Sequence, residues 1–173
     1  MDLTTLIRDV PDFPKPGIVF KDITPLLADP AGLAMAVEQM ANPFRGKHIE
    51  LVVGAESRGF IFGTAIAQAL SAGFIPIRKP GKLPADRRSM EYDLEYGTDT
   101  LEIHADALRP GQRVLMVDDL LATGGTMKAC CDLIAGLGGE IVGVTVLIEL
   151  AFLNGRDRLK PYDAVHAAMR VEG

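Results

Sequence analysis

A short apolar run that ends in two acids and a glycine-rich turn constrains this chain more than any other feature. Val114 to Val117 has the pattern of a strand that is buried on both faces. Asp118 and Asp119 follow it, so we expect them at the carboxyl end of that strand, where open α/β sheets bind their ligands. Ala122 to Thr126 then predicts a sharp turn that leads into a helix. The stretch therefore predicts an α/β fold with a ligand site at this edge of the sheet.

The acids and the turn favour different groups of one ligand. Carboxylates accept hydrogen bonds from sugar hydroxyls or hold a hydrated Mg²⁺. Exposed amides at the start of a helix bind phosphate instead. A ribose 5-phosphate carries both kinds of group. The alternative is that Asp118-Asp119 and Gly124-Gly125 only mark a strand-to-helix turn.

Length and charge restrict the protein class further. A chain of 173 residues predicts one domain with a sizeable core. The net charge of -5 argues against a general nucleic-acid binder, since such binding needs many clustered cations. The basic segment, residues 78–88, nevertheless holds five cations and one acid, Asp86. It suits a small polyanion, although a solvated loop is the alternative from charge alone.

Other patterns place further elements around the opening stretch. Gly54 to Gly59 follows an apolar strand and precedes an apolar helix, but Phe60 stands where a nucleotide-binding P-loop needs Lys. That loop can still present amides and Arg58 to an anion. We also predict a helix over Asp2 to Val10. The remaining predicted strands are 18–20, 49–53, 74–77, 89–96, 98–104, 140–150 and 162–169, with a frayed tail from Arg170 to Gly173.

Several residue types exclude other classes of site. Cys130 and Cys131 are adjacent on an apolar helical pattern, which predicts reduced core residues and not a disulfide or a metal site. No apolar run reaches membrane-spanning length, and the N-terminus lacks a signal-peptide pattern. We therefore expect a cytoplasmic protein that does not bind membranes. His48, His104 and His166 show no ligand or catalytic spacing.

Several strings together resemble the adenine phosphoribosyltransferase family. Val117 to Thr126 resembles the phosphoribosyl diphosphate (PRPP) signature shared by type I phosphoribosyltransferases. The strings that resemble the adenine branch are Asp12 to Phe20, Glu56 to Phe60, Arg78 to Pro84 and Tyr92 to Gly97. The resemblance implies a central, mostly parallel sheet flanked by helices, with a small N-terminal hood at about residues 1–30 and a flexible flap hairpin at about residues 78–104, all in a single domain.

The resemblance also implies a reaction and its ligands. The family moves the phosphoribosyl group of PRPP to N9 of adenine, which gives AMP and diphosphate in purine salvage, with Mg²⁺ carried by PRPP and no directly assigned protein ligand. Asp118 and Asp119 would hold the ribose, and Glu56, Ser57 and Arg58 the diphosphate, with a cis peptide between Glu56 and Ser57. The 5-phosphate would lie on Ala122, Thr123, Gly124, Gly125 and Thr126.

The remaining implied roles concern the base, the flap and a second subunit. Glu95 would assist proton movement on the purine, and Tyr96 would help to cover the site. Arg78, Lys79 and Lys82 would meet the diphosphate, in part in the neighbouring subunit of a homodimer. Adenine would contact Val19, Phe20, Lys21 and Leu120. Many relatives carry Arg where this chain has Lys21, so base affinity depends on whether backbone or side chain reads the base.

Two alternative functions share the PRPP signature. A phosphoribosyltransferase for another purine base is one, although it would be expected to lack the Asp12 to Phe20 and Tyr92 to Gly97 strings. A PRPP-binding regulator without catalysis is the other. Such a regulator usually adds a DNA-binding segment, and this sequence shows no room for one before Pro11 and no basic recognition helix.

Overall fold

The computed structural model describes residues 1–94, 97–162 and 164–173. Its strands are β1 (Arg8–Pro11), β2 (Val19–Asp22), β3 (Leu51–Ala55), β4 (Gly73–Ile77), β5 (Arg87–Leu94), β6 (Gly97–His104), β7 (Arg113–Leu121), β8 (Glu140–Leu150) and β9 (Val165–Val171). Its α-helices are α1 (Thr24–Ala28), α2 (Pro30–Ala41), α3 (Arg58–Ala69) and α4 (Gly125–Gly136). Short 3-10 helices cover Leu3–Leu6, Asn42–Phe44, Ala151–Leu153 and Gly155–Leu159.

The centre of the protein is a five-stranded parallel sheet in the order β4-β3-β7-β8-β9. Helix α3 connects β3 to β4, and α4 connects β7 to β8, so both are crossovers between parallel strands. The strand order reverses between β3 and β7, and at such a switch point open α/β sheets form a ligand crevice. The predicted α/β fold is confirmed. Among the described residues, no helix is both long and apolar enough to cross a membrane.

Both faces of the sheet are covered by apolar side chains. On one face, Met116 of β7 packs in a cluster with Cys130 of α4 and with the hairpin β5–β6. On the other face, Leu115 packs in a cluster with Phe62 of α3 and with α2. Consecutive side chains of β7 thus enter opposite cores, as expected of a strand without a polar face.

The two cysteines lie in the core, as predicted. Cys130 and Cys131 are buried and carry free thiols. Burial raises the pKa of the Cys130 thiol, and it raises the pKa of Cys131 to about 12. Both thiols therefore stay protonated at neutral pH and act as small apolar side chains.

Strands β5 and β6 form the predicted antiparallel hairpin, in which Leu94 pairs with Gly97. Leu101 and Ile103 bury its inner face against the core, while β5 is largely exposed. We call β5–β6 the flap hairpin. Its expected flexibility stays a prediction, and the predicted flap residues Glu95 and Tyr96 lie outside the described residues.

The N-terminal region differs from the prediction. The expected helix over Asp2 to Val10 is wrong: a single 3-10 turn, capped by the Asp2 side chain on the Thr4 amide, is followed by strand β1. Strand β1 pairs antiparallel with β2, with Asp9 opposite Lys21. An isolated helix of this length is marginal, so the ladder to a partner strand outweighs it.

Two strand ends also differ from the prediction. Strand β7 does not stop at Val117 but continues to Leu121. It extends this far because it stays paired with β8, with Leu121 opposite Glu149. The prediction that the tail frays from Arg170 onward is wrong as well. Strand β9 reaches Val171, which pairs with Leu150 at the end of β8.

Candidate active site

Asp118 and Asp119 lie at an open edge of β7. The ladder between β3 and β7 ends at the pair Gly54 and Val117, so the two acids extend beyond β3 and are paired on one side only, with β8. The Asp119 amide donates to Asp118 Oδ1 at 2.9 Å. Glycine at position 59 lets α3 start close to this edge, since a Cβ there would stand 3.1 Å from Asp118 Oδ1.

The Asp118 carboxyl is the more perturbed member of the pair. Burial raises its pKa well above the usual value, and the neighbouring Asp119 charge raises it further. Arg58 acts in the opposite direction but does not compensate. Asp118 is partly buried and Asp119 is buried at the cavity wall. Two adjacent carboxyls in such a place are unfavourable without a ligand and become favourable when a ligand supplies donors or positive charge. This cost is characteristic of functional sites.

The turn after β7 exposes backbone amides at the start of α4. Gly124 has φ +87, and a Cβ there would come 2.5 Å from the Gly155 carbonyl oxygen, so glycine is required twice over. Helix α4 begins at Gly125, and no described side chain caps its first amides. These amides are therefore available to an anion, which the helix dipole also attracts.

One cavity of about 380 Å³ brings most of the predicted ribose-phosphate residues together. It lies where β7 passes into α4 and includes the loop before α3. The lining residues are Glu56, Ser57, Arg58, Asp118, Asp119, Leu120, Leu121, Ala122, Thr123, Gly124, Gly125, Thr126 and Met127. The peptide between Glu56 and Ser57 is cis, as the resemblance implies.

Arg58 connects the carboxylates to the predicted base-binding residue. Its Nε donates to Asp119 Oδ2 at 2.5 Å, and Asp119 is 7% exposed. Its guanidinium carbon lies 5.5 Å from the centre of the Phe20 ring. Phe13 packs edge-on against the same ring, with 5.2 Å between centroids. One side chain, Arg58, thus joins Phe20, which is predicted to bind the purine, to the acids that are predicted to bind the ribose.

Lys21 points away from this arrangement. Its Nζ donates to Asp9 Oδ1 at 2.7 Å across the β1–β2 pair, and its side chain is 17% exposed. It lines a separate cleft of about 220 Å³ beside β8 and β9. Val19 on the same strand is exposed, whereas Leu120 lines the main cavity. This placement favours a backbone role for Lys21, so the Arg-to-Lys departure is expected to have little effect on base affinity.

The predicted diphosphate cations lie beside the cavity and are bound to acids. Lys82 Nζ donates to Glu56 Oε2 at 2.7 Å, and the Lys79 amide donates to Glu56 Oε1 at 2.6 Å. Lys79 Nζ donates to Asp99, and Arg78 Nε lies 3.6 Å from Glu56. Burial raises the pKa of Glu56, but the bonds from Lys82 and Lys79 outweigh it, so this pKa is lowered. Glu56 thus stays ionised and anchors the basic segment, a role that charge alone did not predict.

The flap hairpin contacts residues 122–126 through Tyr92. We call residues 122–126 the phosphate turn, after the ligand group that they are predicted to bind. Thr126 Oγ1 lies 3.4 Å from Tyr92 Oη, which in turn lies 3.3 Å from Asp99 Oδ2. Arg158 also stands beside the turn, since a Cβ at Gly125 would be 3.4 Å from its Nη1. No sequence pattern predicted a role for Tyr92, Asp99 or Arg158. Tyr92 and Asp99 lie in the alternating hairpin pattern, but nothing local indicated their partners.

Glu102 is another residue that the sequence analysis missed. It is 5% exposed and lies between the buried Leu101 and Ile103. Its carboxylate accepts hydrogen bonds from Gly81, Arg87 and Ser89. Side chains alternate along a strand, so Leu101 and Ile103 lie on the opposite face of β6. The Glu102 face carries Thr100 and His104, and nothing local in the sequence marked Glu102 as buried.

A metal ion at this site would need ligands from outside the protein. Among the described residues, no group of three or more His, Cys, Asp or Glu side chains could hold one. The Asp118 and Asp119 carboxylates nevertheless fit Mg²⁺, which is bound by one or two carboxylates together with water and substrate phosphate. Added positive charge would also relieve the cost of the Asp118 carboxyl.

Comparisons with known proteins agree with this geometry. Residues 24–168 match the family model described as "Phosphoribosyl transferase domain". A curated adenine phosphoribosyltransferase from Rhodopirellula baltica is 58% identical over 173 residues, which are 100% of this chain and 84% of the relative. The chain belongs to the adenine phosphoribosyltransferase family.

Solved structures of this family share the whole fold. The structure of adenine phosphoribosyltransferase from Rhodothermus marinus is 53% identical and covers 98% of this chain and 96% of its own, with a TM-score of 0.93. The Giardia lamblia enzyme complexed with 9-deazaadenine is 37% identical, with a TM-score of 0.93, and covers 99% of this chain and 97% of its own. Membership therefore extends over the entire length described.

Proposed function

We infer that the protein is an enzyme that transfers the 5-phosphoribosyl group of PRPP to N9 of adenine and releases AMP and diphosphate. The observation that carries this function is the single cavity in which two carboxylates meet the uncapped amides of α4. Such a site suits a ribose 5-phosphate, and Phe20 lies within reach through Arg58. Family membership at 58% identity over the whole chain supports adenine as the acceptor base.

We propose that the ribose-phosphate half of PRPP lies along β7 and the turn that follows it. The Asp118 and Asp119 oxygens would accept hydrogen bonds from the ribose hydroxyls. They would also stabilise the positive charge that develops on the sugar as the C1–oxygen bond to diphosphate breaks. Residues 122–126 would hold the 5-phosphate on their amides, with the Thr126 hydroxyl as a further donor. Holding both ends of the sugar fixes C1 for attack by the base.

Diphosphate would lie between the loop before α3 and the basic segment. Ser57 and Arg58 supply donors from one side, and Arg78, Lys79 and Lys82 supply positive charge from the other. Asp118 and Asp119 are the carboxylates that would hold Mg²⁺ bound together with PRPP, and the ion would supply positive charge beside the diphosphate. Charge neutralisation on the leaving group lowers the barrier to breaking its bond with C1.

We propose that adenine is held between Phe20 and Leu120. The exposed Val19 and the Lys21 backbone would read the edge of the base, because the Lys21 ammonium is already paired with Asp9. The N9 lone pair forms the new bond to C1, and the N9 proton must leave. Glu95 is the proposed acceptor of that proton, and Tyr96 the proposed cover that excludes water from the reactive sugar.

Replacing Phe20 with alanine is expected to raise the KM for adenine about tenfold and to leave the KM for PRPP near its original value. Stacking of an aromatic side chain on a base contributes about 1–3 kcal/mol. Steady-state kinetics with each substrate varied in turn would measure this. Phe152→Ala is the control, because Phe152 is 50% exposed and lies outside the cavity lining. An unchanged KM for adenine in the Phe20 variant would remove Phe20 from the base site.

Replacing Glu95 with alanine is expected to lower kcat by about 10² and to leave PRPP affinity largely intact, since general acid–base groups act on the chemical step. Rapid-quench turnover and calorimetric PRPP binding would separate the two effects. Glu91→Ala is the control, as Glu91 is an exposed acid of strand β5. A large loss of PRPP binding in the Glu95 variant would contradict the assigned role.

We further propose a homodimer in which part of the basic segment reaches the neighbouring subunit's site. The observation in favour is that Arg78, Lys79 and Lys82 are absent from the cavity lining of a single chain, as far as the described residues show. Equilibrium sedimentation would test this, and a mass near 18.6 kDa would contradict it. We also propose a cytoplasmic location and no nucleic-acid or membrane partner, in line with two free thiols and the net charge of -5.

The function itself is tested by diphosphate release from PRPP and Mg²⁺ with each purine base in turn. We expect release and AMP formation with adenine. Activity with hypoxanthine or guanine but not with adenine would assign the protein to another base. Binding of PRPP without turnover on any base would favour a PRPP-binding regulator.

A further inference from the structure

Glu102 is a buried carboxylate that the proposed chemistry does not use. It lies on β6, and 5% of its surface is exposed. Gly81 N donates to its Oε1, while Arg87 Nε and Ser89 Oγ both donate to its Oε2, each at 2.9 Å. A buried carboxylate with three hydrogen-bond donors has its hydrogen-bonding capacity satisfied. Glu102 therefore holds other segments in place and does not carry protons.

The donors come from the basic segment and its exit into the flap hairpin. The backbone of Glu102 is also bonded to the start of the segment, with Arg78 N to Glu102 O at 2.9 Å and Glu102 N to Arg78 O at 2.8 Å. One residue therefore holds the segment at its beginning, in its middle at Gly81, and at its end at Arg87. Glu56 holds the same segment from the cavity side through Lys79 and Lys82.

We propose that Glu102 is a positioning residue for the diphosphate of PRPP, because it fixes the loop that presents Lys79 and Lys82. The proposal rests on the proposed function and deepens it. The loop carries Pro80 and the positive-φ Gly81, and its cations must point at a ligand that the protein binds only transiently. A loop that is already ordered does not spend binding energy on ordering when PRPP arrives.

The hydrogen bonds at Glu102 require a carboxylate. Glutamine has the same size but offers one oxygen and one NH₂ group. If its oxygen serves Arg87 and Ser89, its NH₂ faces the Gly81 amide, and donor meets donor. If it is turned round, the NH₂ faces Arg87 and Ser89 instead. Either orientation places at least one donor against the glutamine NH₂ group, where the carboxylate offered an acceptor.

Glu102→Gln is therefore expected to raise the KM for PRPP at least about tenfold, with kcat and the KM for adenine within about threefold of the original enzyme. A lost hydrogen bond to a charged group has this magnitude. Glu149→Gln is the matched control. It removes the charge of another buried carboxylate, 2% exposed, that is bonded to Arg156 and not to the basic segment. Its KM for PRPP should stay unchanged.

Two further measurements separate positioning from general stability. In a Lys79→Ala/Lys82→Ala background the Glu102→Gln change should have little additional effect on PRPP affinity, because the groups it positions are gone. Amide exchange at Gly81 should accelerate in Glu102→Gln and stay slow in Glu149→Gln. If Glu102→Gln does not fold, Ser89→Ala removes one of the three donors and should raise the KM for PRPP a few-fold.

A lower melting temperature with an unchanged KM for PRPP would overturn the proposal and leave Glu102 a purely structural residue. Full additivity with the double lysine variant would overturn it as well. Failure of the proposed function would look different, since the original protein would then form no AMP from PRPP and adenine. In that case calorimetric PRPP binding and Gly81 exchange still decide the role of Glu102.

Discussion

Replacing Asp118 and Asp119 together with asparagine is expected to weaken PRPP binding by about 10²–10⁴-fold. Each carboxylate would lose its charge-assisted hydrogen bonds to the ribose or its contact with the metal carried by PRPP, and such bonds contribute about 1.5–3 kcal/mol each. Arg58 would also lose its 2.5 Å partner, Asp119 Oδ2. Isothermal calorimetry with PRPP and Mg²⁺ would measure the loss. Asp157→Asn, at an exposed site away from the cavity, is the control.

The same acids predict a gain in stability when Asp118 alone is replaced. The folded-state pKa of Asp118 lies above its unfolded value because of burial and the Asp119 charge. A carboxyl shifted in this direction makes the protein less stable as the pH rises between those two values. The Asp118→Asn variant has no carboxyl at this position and does not lose stability in this way. Its melting temperature should therefore exceed that of the original protein from about pH 4 upward.

Thermal unfolding between pH 4 and pH 8 would measure that difference. The difference in melting temperature between the two proteins should increase until the pH exceeds the folded-state pKa of Asp118. Each kcal/mol of added stability corresponds to about 2–4 °C. Loss of PRPP affinity together with gained stability would mark Asp118 as a residue kept for function. PRPP binding within about twofold of the original in the double variant would contradict the ribose contact.

Replacing Arg156 with methionine is expected to destabilise the protein by about 1–3 kcal/mol, because the buried Glu149 carboxylate loses its bidentate partner. The Arg156 side chain is 39% exposed, so solvent screening keeps the cost below that of a fully buried pair. Arg156 forms two bonds of 2.7 Å to Glu149, which is 2% exposed. It also donates to the Val165 carbonyl at 2.6 Å. Methionine keeps much of the packing. Among the described residues, Arg170 at 3.2 Å is then the cation that still contacts the Glu149 carboxylate.

The effect should depend on pH with a defined sign. The bond from Arg156 holds the pKa of Glu149 below its usual value, despite burial. A lowered carboxyl pKa stabilises the fold above the unfolded value, about 4.3, and this contribution is lost as the pH falls through the folded value. The cost of Arg156→Met should therefore be full at pH 7 and shrink toward acid.

Urea unfolding at pH 7 and at pH 4 would measure both quantities. Arg170→Met is the matched control: its side chain is 52% exposed, so its contact with Glu149 should contribute about 1 kcal/mol or less. A cost below that level for Arg156→Met at pH 7 would mean that the pair of Arg156 with Glu149 does not hold β8, β9 and the Gly155–Leu159 turn together. That turn borders the phosphate turn, since Gly155 packs on Gly124.

Features that depend on neighbours in sequence were predictable. The apolar run before Asp118, the paired glycines and the helix after them lie within about a dozen residues, and β7, the turn and α4 form in that order. The same holds for α2, where Asp29 caps the helix through the Gly32 amide at 2.7 Å. Apolar periodicity and capping are local, so they are visible in the sequence.

Contacts between distant segments were not predictable. Arg58 and Asp119 are 61 residues apart, and Lys82 and Glu56 are 26 apart. The sequence marked these residues as charged and near a site, but it did not show that the acids of the loop and the hairpin hold the cations. The pairing of β1 with β2 was missed for the same reason, because a ladder partner decides between a short helix and a strand.

The sequence by itself determined the fold class, the ribose-phosphate signature and the family, since these reside in contiguous strings whose patterns carry their own structure. The tertiary structure alone decided how the charges are paired. It extended β7 through Asp118 and Asp119 along β8, turned Lys21 toward Asp9, and placed Glu102 under the basic segment. Such pairings depend on distances across the fold, and a residue's charge carries no information about which distant partner the chain will bring to it.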